Sequence, residues 1–211
     1  MIANHIHHAL AQVQELQQKI LEKQRFKGYS GRARAITGTL ALLAAFAMSS
    51  GYYPQTVSAH AAGWTAVFGC SVLLNFGAVF YWFLFDPAAH REVRRLKPVL
   101  DVLPSLLTGG LLTLIFMKEG LFAYLFGLWM ALFGLANLST RHVLPRTIAL
   151  VGIYYLLLGA ICLFLPVSFL NPWPMGIVFF IGEWSGGVIL HYDESEGAAW
   201  NALPGIKKKH A

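Results

Sequence analysis

Six long apolar stretches divide this chain, and each is about as long as a membrane-spanning helix must be. They cover residues 35–52, 63–85, 98–117, 121–138, 147–166 and 173–190. A hydrocarbon layer of about 30 Å requires roughly 17–25 residues of helix. Only 12% of the residues are charged and 56% are hydrophobic, whereas about 25% charged is typical of soluble domains. The sequence therefore predicts an all-α membrane protein with six transmembrane helices in one bundle, residues 35–191.

Nearly all of the positive charge lies on one side of the membrane that these stretches imply. Of the 16 Lys and Arg residues, only Lys118 lies in a loop on the opposite side. Because basic loops are retained in the cytoplasm, we expect both termini to be cytoplasmic, including a basic tail over residues 192–211. The membrane would be a bacterial inner membrane or, in a eukaryotic cell, the endoplasmic reticulum. The basic segments are short and adjoin the stretches, which favours contact with membrane lipid over nucleic-acid binding.

An amphipathic helix is predicted before the first stretch, over residues 5–27. This segment contains no Gly or Pro, and apolar side chains recur at helical spacing at Ile6, Leu10, Val13, Leu16 and Ile20. We expect a cytoplasmic helix here and a basic linker up to residue 34, in which Arg32 and Arg34 anchor the first span at the headgroups. A single amphipathic helix is marginally stable alone, so its apolar face is expected to dock a protein partner or a second copy.

Glycines recur at a spacing of seven in the fourth and fifth stretches. They are Gly127, Gly134, Gly152 and Gly159. Small residues on one helix face let two backbones approach closely in lipid, so the pattern predicts a tightly packed hairpin of spans four and five. In the sixth stretch, Gly182 and Gly186 form a Gly-x-x-x-Gly pattern, which predicts close helix packing and is also a candidate contact with a second copy.

This predicted hairpin resembles the repeat of a known membrane-protein family. Residues 127–166, with their paired Gly-x6-Gly motifs and a terminal Leu165-Pro166, are similar to the small six-span bacterial inner-membrane proteins of the HdeD acid-resistance type. The resemblance implies a six-helix bundle in the inner membrane. The N-terminal helix and the Asn171-Pro-Trp-Pro segment have no counterpart in that pattern.

Glu183 lies ten residues inside the sixth stretch, near the membrane midplane. A charge at this depth costs about 2.5–3.5 kcal/mol on insertion scales, so Glu183 must be paired, protonated or facing a cavity. Counting residues along the spans places four polar side chains near its depth, namely Asn75, Thr108, Tyr154 and Tyr155. We expect Glu183, Asn75 and one tyrosine to form a buried polar cluster. This cluster either binds a proton or ligand, or holds the helices together with a neutral Glu183.

The sequence contains no pattern typical of a catalytic or metal site. It has no phosphate-binding loop, dinucleotide fingerprint or nucleophile elbow, and one intramembrane carboxylate supplies neither a nucleophile with its base nor a metal cluster. His5, His7 and His8 have no acidic or Cys ligand nearby, and Cys70 and Cys162 lie in apolar stretches. We therefore expect no enzymatic activity, no metal and no cofactor.

These features favour a non-enzymatic multi-pass membrane protein that serves as an anchoring, sensing or assembly subunit. Its partners would be membrane lipid and, at the N-terminal helix, either a second copy or another protein. The alternative is a small transporter or channel that uses Glu183, because transporter sites usually lie near the bilayer midplane.

Overall fold

The computed structural model describes residues 12–13, 28–86, 96–141 and 143–202, and every regular element in these residues is a helix. The α-helices are α1 (Gly31–Met48), α2 (Val57–Phe85), α3 (Lys97–Lys118), α4 (Leu125–Ser139), α5 (Ile148–Phe164) and α6 (Trp173–Ala202). A short 3₁₀-helix, Phe122–Tyr124, precedes α4. Gly120 supplies the tight reversal between α3 and α4, with a φ of 73° that favours glycine.

Most of the predicted amphipathic helix, residues 5–27, lies outside the described residues. Only Gln12 and Val13 are described, and both are helical. The other four predicted docking positions, which are Ile6, Leu10, Leu16 and Ile20, lie outside the described part of the chain. The docking face therefore remains a prediction from the sequence.

The last helix continues beyond its predicted end. The prediction ended span six at Leu190 and assigned residues 192–211 to a tail, whereas α6 extends to Ala202. Residues 191–196 contain no Gly or Pro, so the sequence has no helix-terminating signal at the predicted boundary. The boundary of the bundle at residue 191 is therefore not a helix end.

The first helix begins earlier than the predicted start of span one at residue 35. The Ser30 hydroxyl accepts a hydrogen bond from the Ala33 amide at 3.3 Å and caps α1 at its N-terminus. This cap brings Arg32 and Arg34 into the first turn of the helix. Arg32 is exposed, as expected of a headgroup anchor, but Arg34 is buried, so the prediction that it anchors the span at the headgroups is wrong for the folded bundle.

Four helical segments of the described chain are long and apolar enough to cross a membrane. They are Val57–Phe85, Pro98–Lys118, Phe122–Ser139 and Trp173–Asp193. α5 is apolar but has 17 residues, and α1 carries two arginines in its first turn. The structure thus supports an all-helical membrane protein with four candidate spans, fewer than the six predicted.

The six helices form a core of four and an outer layer of two. α1 packs along α6, α4 packs along α5, and contacts of α6 with α5 and α4 join the two pairs. α2 packs mainly on α1, and α3 mainly on α4. In the candidate spans of α2 and α3, 6% of the residues are buried, compared with 44% in those that include α4 and α6. α2 and α3 are therefore the loosely packed helices of the bundle.

Glycines let α4 and α5 approach at backbone distance. A Cβ atom on Gly134 would lie 2.8 Å from the carbonyl oxygen of Gly152, and one on Gly127 would lie 2.9 Å from that of Gly159. Real Cβ atoms do not approach so closely, so only glycine fits here without displacement. All four glycines of the repeated motif thus lie at the contact of these helices.

Small residues also line the antiparallel contact of α1 with α6. A Cβ atom on Gly187 would lie 2.6 Å from the carbonyl oxygen of Gly31, and Gly176 faces Ala45 at the other end of α1. Gly31 also lies close to the backbone of His191. We call the end of the bundle that holds Gly31 and His191 the basal end, and the opposite end, which holds Ala45 and Gly176, the apical end.

The Gly-x-x-x-Gly pair of α6 is used within the chain. Gly182 faces the ring of Tyr155 on α5, and Gly186 faces the guanidinium of Arg34 on α1. The expectation that this pair contacts a second copy is therefore wrong, because neighbouring helices already occupy the space beside both glycines.

Candidate functional site

A buried ion pair joins the first helix to the last. The Nε atom of Arg34 donates to Oε2 of Glu183 at 2.9 Å, and Nη2 donates to Oε1 at 2.9 Å. The guanidinium and the carboxylate therefore meet through two parallel hydrogen bonds, the strongest geometry available to this pair. The exposed fractions of Arg34 and Glu183 are 8% and 6%. The pair is shielded from solvent and lipid by the surrounding helices.

Two further core side chains complete this network. Nη1 of Arg34 donates to Oδ1 of Asn137 on α4 at 3.1 Å, and the Tyr155 hydroxyl on α5 donates to Oε1 of Glu183 at 3.0 Å. The amide nitrogen of Asn137 donates in turn to the Phe133 carbonyl at 2.8 Å. Tyr155 is fully buried. One hydrogen-bonded network thus links all four core helices, α1, α4, α5 and α6.

Glycines make room for this network. A Cβ atom on Gly186 would lie 2.6 Å from Cζ of Arg34, and one on Gly38 would lie 3.0 Å from Cβ of Glu183. Gly182 leaves space for the Tyr155 ring in the same way. The absence of side chains at these positions lets a large cation and a large phenol fit between closely packed helices.

The chemistry of the pair indicates an ionised Glu183. An arginine side chain does not lose its proton in proteins, so a guanidinium at this depth needs a counter-ion. The Glu183 carboxylate supplies it, and Arg34, Asn137 and Tyr155 add hydrogen bonds that compensate for lost solvation. The network therefore has no net charge, and both carboxylate oxygens are already engaged.

The structure brings together only some of the residues in the predicted cluster. Glu183 and Tyr155 are hydrogen-bonded to each other. Tyr154 lies beside Tyr155 but donates to the Val178 carbonyl at 3.2 Å. Asn75 donates to the Ser71 carbonyl of its own helix at 2.9 Å, so the expected contact between Asn75 and Glu183 is replaced by that of Arg34 with Glu183. Thr108 lies on the exposed surface of α3.

Sequence reasoning missed two members of the network, Arg34 and Asn137. Arg34 was counted among the basic residues next to a span, and Asn137 lies near the end of the fourth span. One signal could have identified Arg34: it shares a stripe of α1 with Gly31, Gly38 and Ala41, which are small residues at helical spacing. An arginine on a stripe suited to close helix packing faces another helix.

A cavity of about 380 Å³ adjoins the network. It lies between the core helices α1, α4 and α6 and the outer helices α2 and α3, with Arg34, Asn137 and Glu183 in its wall at the basal side. Aromatic side chains line much of the rest, among them Trp64, Phe126 and Phe133. This volume lies within the range of about 300–1,000 Å³ that is typical of sites for small molecules.

No group of three or more His, Cys, Asp or Glu residues within residues 28–86, 96–141 and 143–202 could hold a metal ion. Cys70 and Cys162 are both free thiols on different helices. His5, His7 and His8 lie outside the described residues. The described site offers hydrogen-bonding groups and apolar contacts to a ligand.

Comparison of the chain with protein-family models, curated proteins and solved structures finds no match. The resemblance of residues 127–166 to proteins of the HdeD type therefore stays a prediction. The fold and the site define the class of protein, which is an integral membrane protein. Its helices are long and apolar enough to span a membrane, and a buried ion pair joins its first and last described α-helices.

Proposed function

We propose that this is a non-enzymatic multi-pass membrane protein that anchors or assembles a partner at the membrane. In this proposal α1 and α5 join the four candidate spans to make six, and both termini face the cytoplasm of a bacterial cell, or of a eukaryotic cell if the membrane is the endoplasmic reticulum. The partition of Lys and Arg supports this orientation. The N-terminal amphipathic helix docks the partner, which is a second copy or another protein.

The observation that carries this proposal is the location of the ion pair. The chain enters α1 at Ser30, directly after the segment predicted to dock the partner. Within the next turn, the Gly31 backbone packs against Gly187 and Arg34 pairs with Glu183. α1 and α6 form the most extensive helix contact of the described chain. A docking helix that leads into α1 at Ser30 is therefore joined to the bundle at the contact of α1 with α6.

Tyr29 ties the same junction to an outer helix. Its hydroxyl donates to the Pro98 carbonyl at the start of α3, at 3.4 Å. Burial raises the pKa of Tyr29 to about 12, although the nearby positive charge of Arg34 acts to lower it. The phenol therefore stays neutral and able to donate at physiological pH. The segment that leads into α1 is held by α3 as well as by α6.

Deletion of residues 1–27 is expected to abolish complex formation while the bundle still inserts into the membrane. The deleted residues carry the docking face, whereas the contacts that fasten α1 to α6 begin at Gly31. Crosslinking in intact membranes, followed by size-exclusion chromatography in mild detergent, measures assembly of the full chain and of the shortened chain. Unchanged assembly after the deletion would contradict the docking proposal.

The insertion control also tests the proposed orientation. Single cysteines are placed at Ser139, the last residue of α4, and at Glu119, in the loop after α3, in a background with Cys70→Ala and Cys162→Ala. A membrane-impermeant maleimide should label position 139 from the cytoplasmic side only and position 119 from the opposite side only, in both the full chain and the deletion. Labelling in the reverse sense would overturn the orientation.

A small transporter that uses Glu183 is the second candidate function. The observation in its favour is that Glu183 lines the cavity beside α2 and α3. Against it, Arg34 neutralises the carboxylate, and three hydrogen bonds from Arg34 and Tyr155 engage both of its oxygens. A transported proton or cation would have to displace these partners. Because Arg34 and Tyr155 already occupy the carboxylate, we favour anchoring over transport.

Proton flux into liposomes separates the two functions. If Glu183 carries protons, flux reported by an internal pH-sensitive dye should be lost in the Glu183→Gln variant and retained in Tyr154→Phe, which removes a nearby phenol that bonds elsewhere. Both variants are compared with the wild-type chain after size-exclusion chromatography has selected monodisperse protein. Identical flux in all three would remove Glu183 from any transport mechanism.

A further inference from the structure

We propose that the cavity beside the Arg34–Glu183 pair binds an uncharged amphiphile with a long hydrocarbon chain and a hydroxyl or carbonyl head. This inference goes beyond the anchoring function, which makes no use of the cavity. Three features of the cavity carry it: its shape, the distribution of polar groups along it, and the neutrality of its polar end.

The cavity extends along the two outer helices. Its lining residues run from Ala61 to Phe76 on α2 and from Val102 to Met117 on α3. At a rise of 1.5 Å per residue, each of these ranges extends about 22 Å along its helix. An extended hydrocarbon chain matches a cavity of this length.

The polarity of the cavity wall changes along its length. Towards the apical end the wall is formed mainly by apolar and aromatic side chains such as Trp64, Phe126 and Phe169, with Thr65 and Thr113 among them. Towards the basal end it includes Asn137 and the Arg34–Glu183 pair. The wall therefore fits a molecule with an apolar chain at the apical end and a polar head at the basal end.

The polar end selects for an uncharged head. The positive charge of Arg34 is balanced by Glu183, so an anionic head would gain no net attraction and would lie near a carboxylate. Arginine has five N–H groups, of which three donate within the network, to Glu183 twice and to Asn137 once. In this proposal the head group accepts from the remaining two, since Arg34 forms part of the cavity wall. A hydroxyl or carbonyl oxygen supplies that acceptor without adding charge.

The outer helices allow such a molecule to enter from the bilayer. α2 packs mainly on α1 and α3 mainly on α4, and the two are not extensively packed against each other. Their spans are also the least buried of the candidate spans. A membrane amphiphile can therefore reach the cavity between α2 and α3 without leaving the lipid.

Photolabelling of the full chain in lipid nanodiscs tests this proposal. The probes are a long-chain alcohol that carries a diazirine on its chain and the carboxylate of the same length. We expect saturable labelling by the alcohol at peptides of α2, α3 and α4, competition by unlabelled alcohol, and labelling about tenfold weaker with the carboxylate. Labelling that does not saturate would overturn the site, and equal labelling by the two probes would overturn the neutral-head preference.

Two glycines give a matched pair of variants for this experiment. Gly110 lines the cavity, Gly69 does not, and a Cβ atom on either would meet nothing within 4 Å. Gly110→Leu should therefore fill the cavity without a clash and reduce alcohol labelling about tenfold, whereas Gly69→Leu should leave it unchanged. Val102→Phe, at the basal end of the cavity wall, provides a second filling variant if Gly110→Leu is not monodisperse. Undiminished labelling in the filling variants would overturn the proposal.

Discussion

Replacing Arg34 by Ala is expected to lower the free energy of unfolding by about 3–5 kcal/mol, because the change leaves Glu183 as an uncompensated buried charge. Glu183→Ala should have an effect of similar size, since the guanidinium cannot neutralise itself by losing a proton. The measurement is the loss of helical circular dichroism as SDS is titrated into the protein in mild detergent. Both variants remove contacts that link α1 to α6.

Arg32 provides a matched control for the Arg34 variant. It lies two residues earlier on the same helix, carries the same charge and is exposed. Arg32→Ala should therefore change the free energy of unfolding by no more than about 0.5 kcal/mol. The double variant Arg34→Met with Glu183→Leu should recover most of the lost stability, because apolar side chains of similar size can replace a buried pair. Equal destabilisation by Arg32→Ala and Arg34→Ala would show that the pair does not fasten the bundle.

Gly134→Ala is expected to destabilise the bundle by about 1–3 kcal/mol, because the added methyl group overpacks the contact of α4 with α5. Its Cβ atom would lie 2.8 Å from the Gly152 carbonyl oxygen, which is backbone and cannot rotate away. The helices must separate to accommodate it. The same SDS titration measures the change.

Gly77→Ala is the control for this variant, and its effect should have the opposite sign. A Cβ atom on Gly77 of α2 would meet nothing within 4 Å. Alanine has a better helix propensity than glycine by up to about 1 kcal/mol, so Gly77→Ala should be neutral or stabilising. If Gly134→Ala also proved stabilising, the contact between α4 and α5 would not be as close as the structure has it.

The helical class and the glycine positions between α4 and α5 could be predicted because both depend on local pattern. Long apolar runs indicate membrane spans, and glycines seven residues apart lie on one helix face. Helix ends were harder to predict. α1 begins at a cap on Ser30 that lies outside the apolar run, and α6 continues through a polar segment that has no Gly or Pro before Gly197.

The candidate site could be predicted only in part, because depth along a span does not give rotation about the helix axis or neighbour identity. Depth alone correctly placed Tyr155 near Glu183, since α5 and α6 are in contact. The same count selected Asn75, but α2 is an outer helix that packs mainly on α1. The basic charge of Arg34 was read as a signal of orientation, which concealed its position on a stripe of small residues. Arg34 is both a basic residue next to a span and a member of this stripe.

The two partners of the ion pair are 149 residues apart in the chain. At a synthesis rate of roughly 5–20 residues per second, Glu183 is made roughly 7–30 s after Arg34. During this interval the Arg34 charge can reach the headgroups, because Arg34 lies in the first turn of α1 and its side chain is long. Under the proposed orientation, Arg34 therefore acts twice during biogenesis. It first retains the N-terminus on the cytoplasmic side, and it then captures the last helix, so that the bundle closes only around a chain that has been translated through α6.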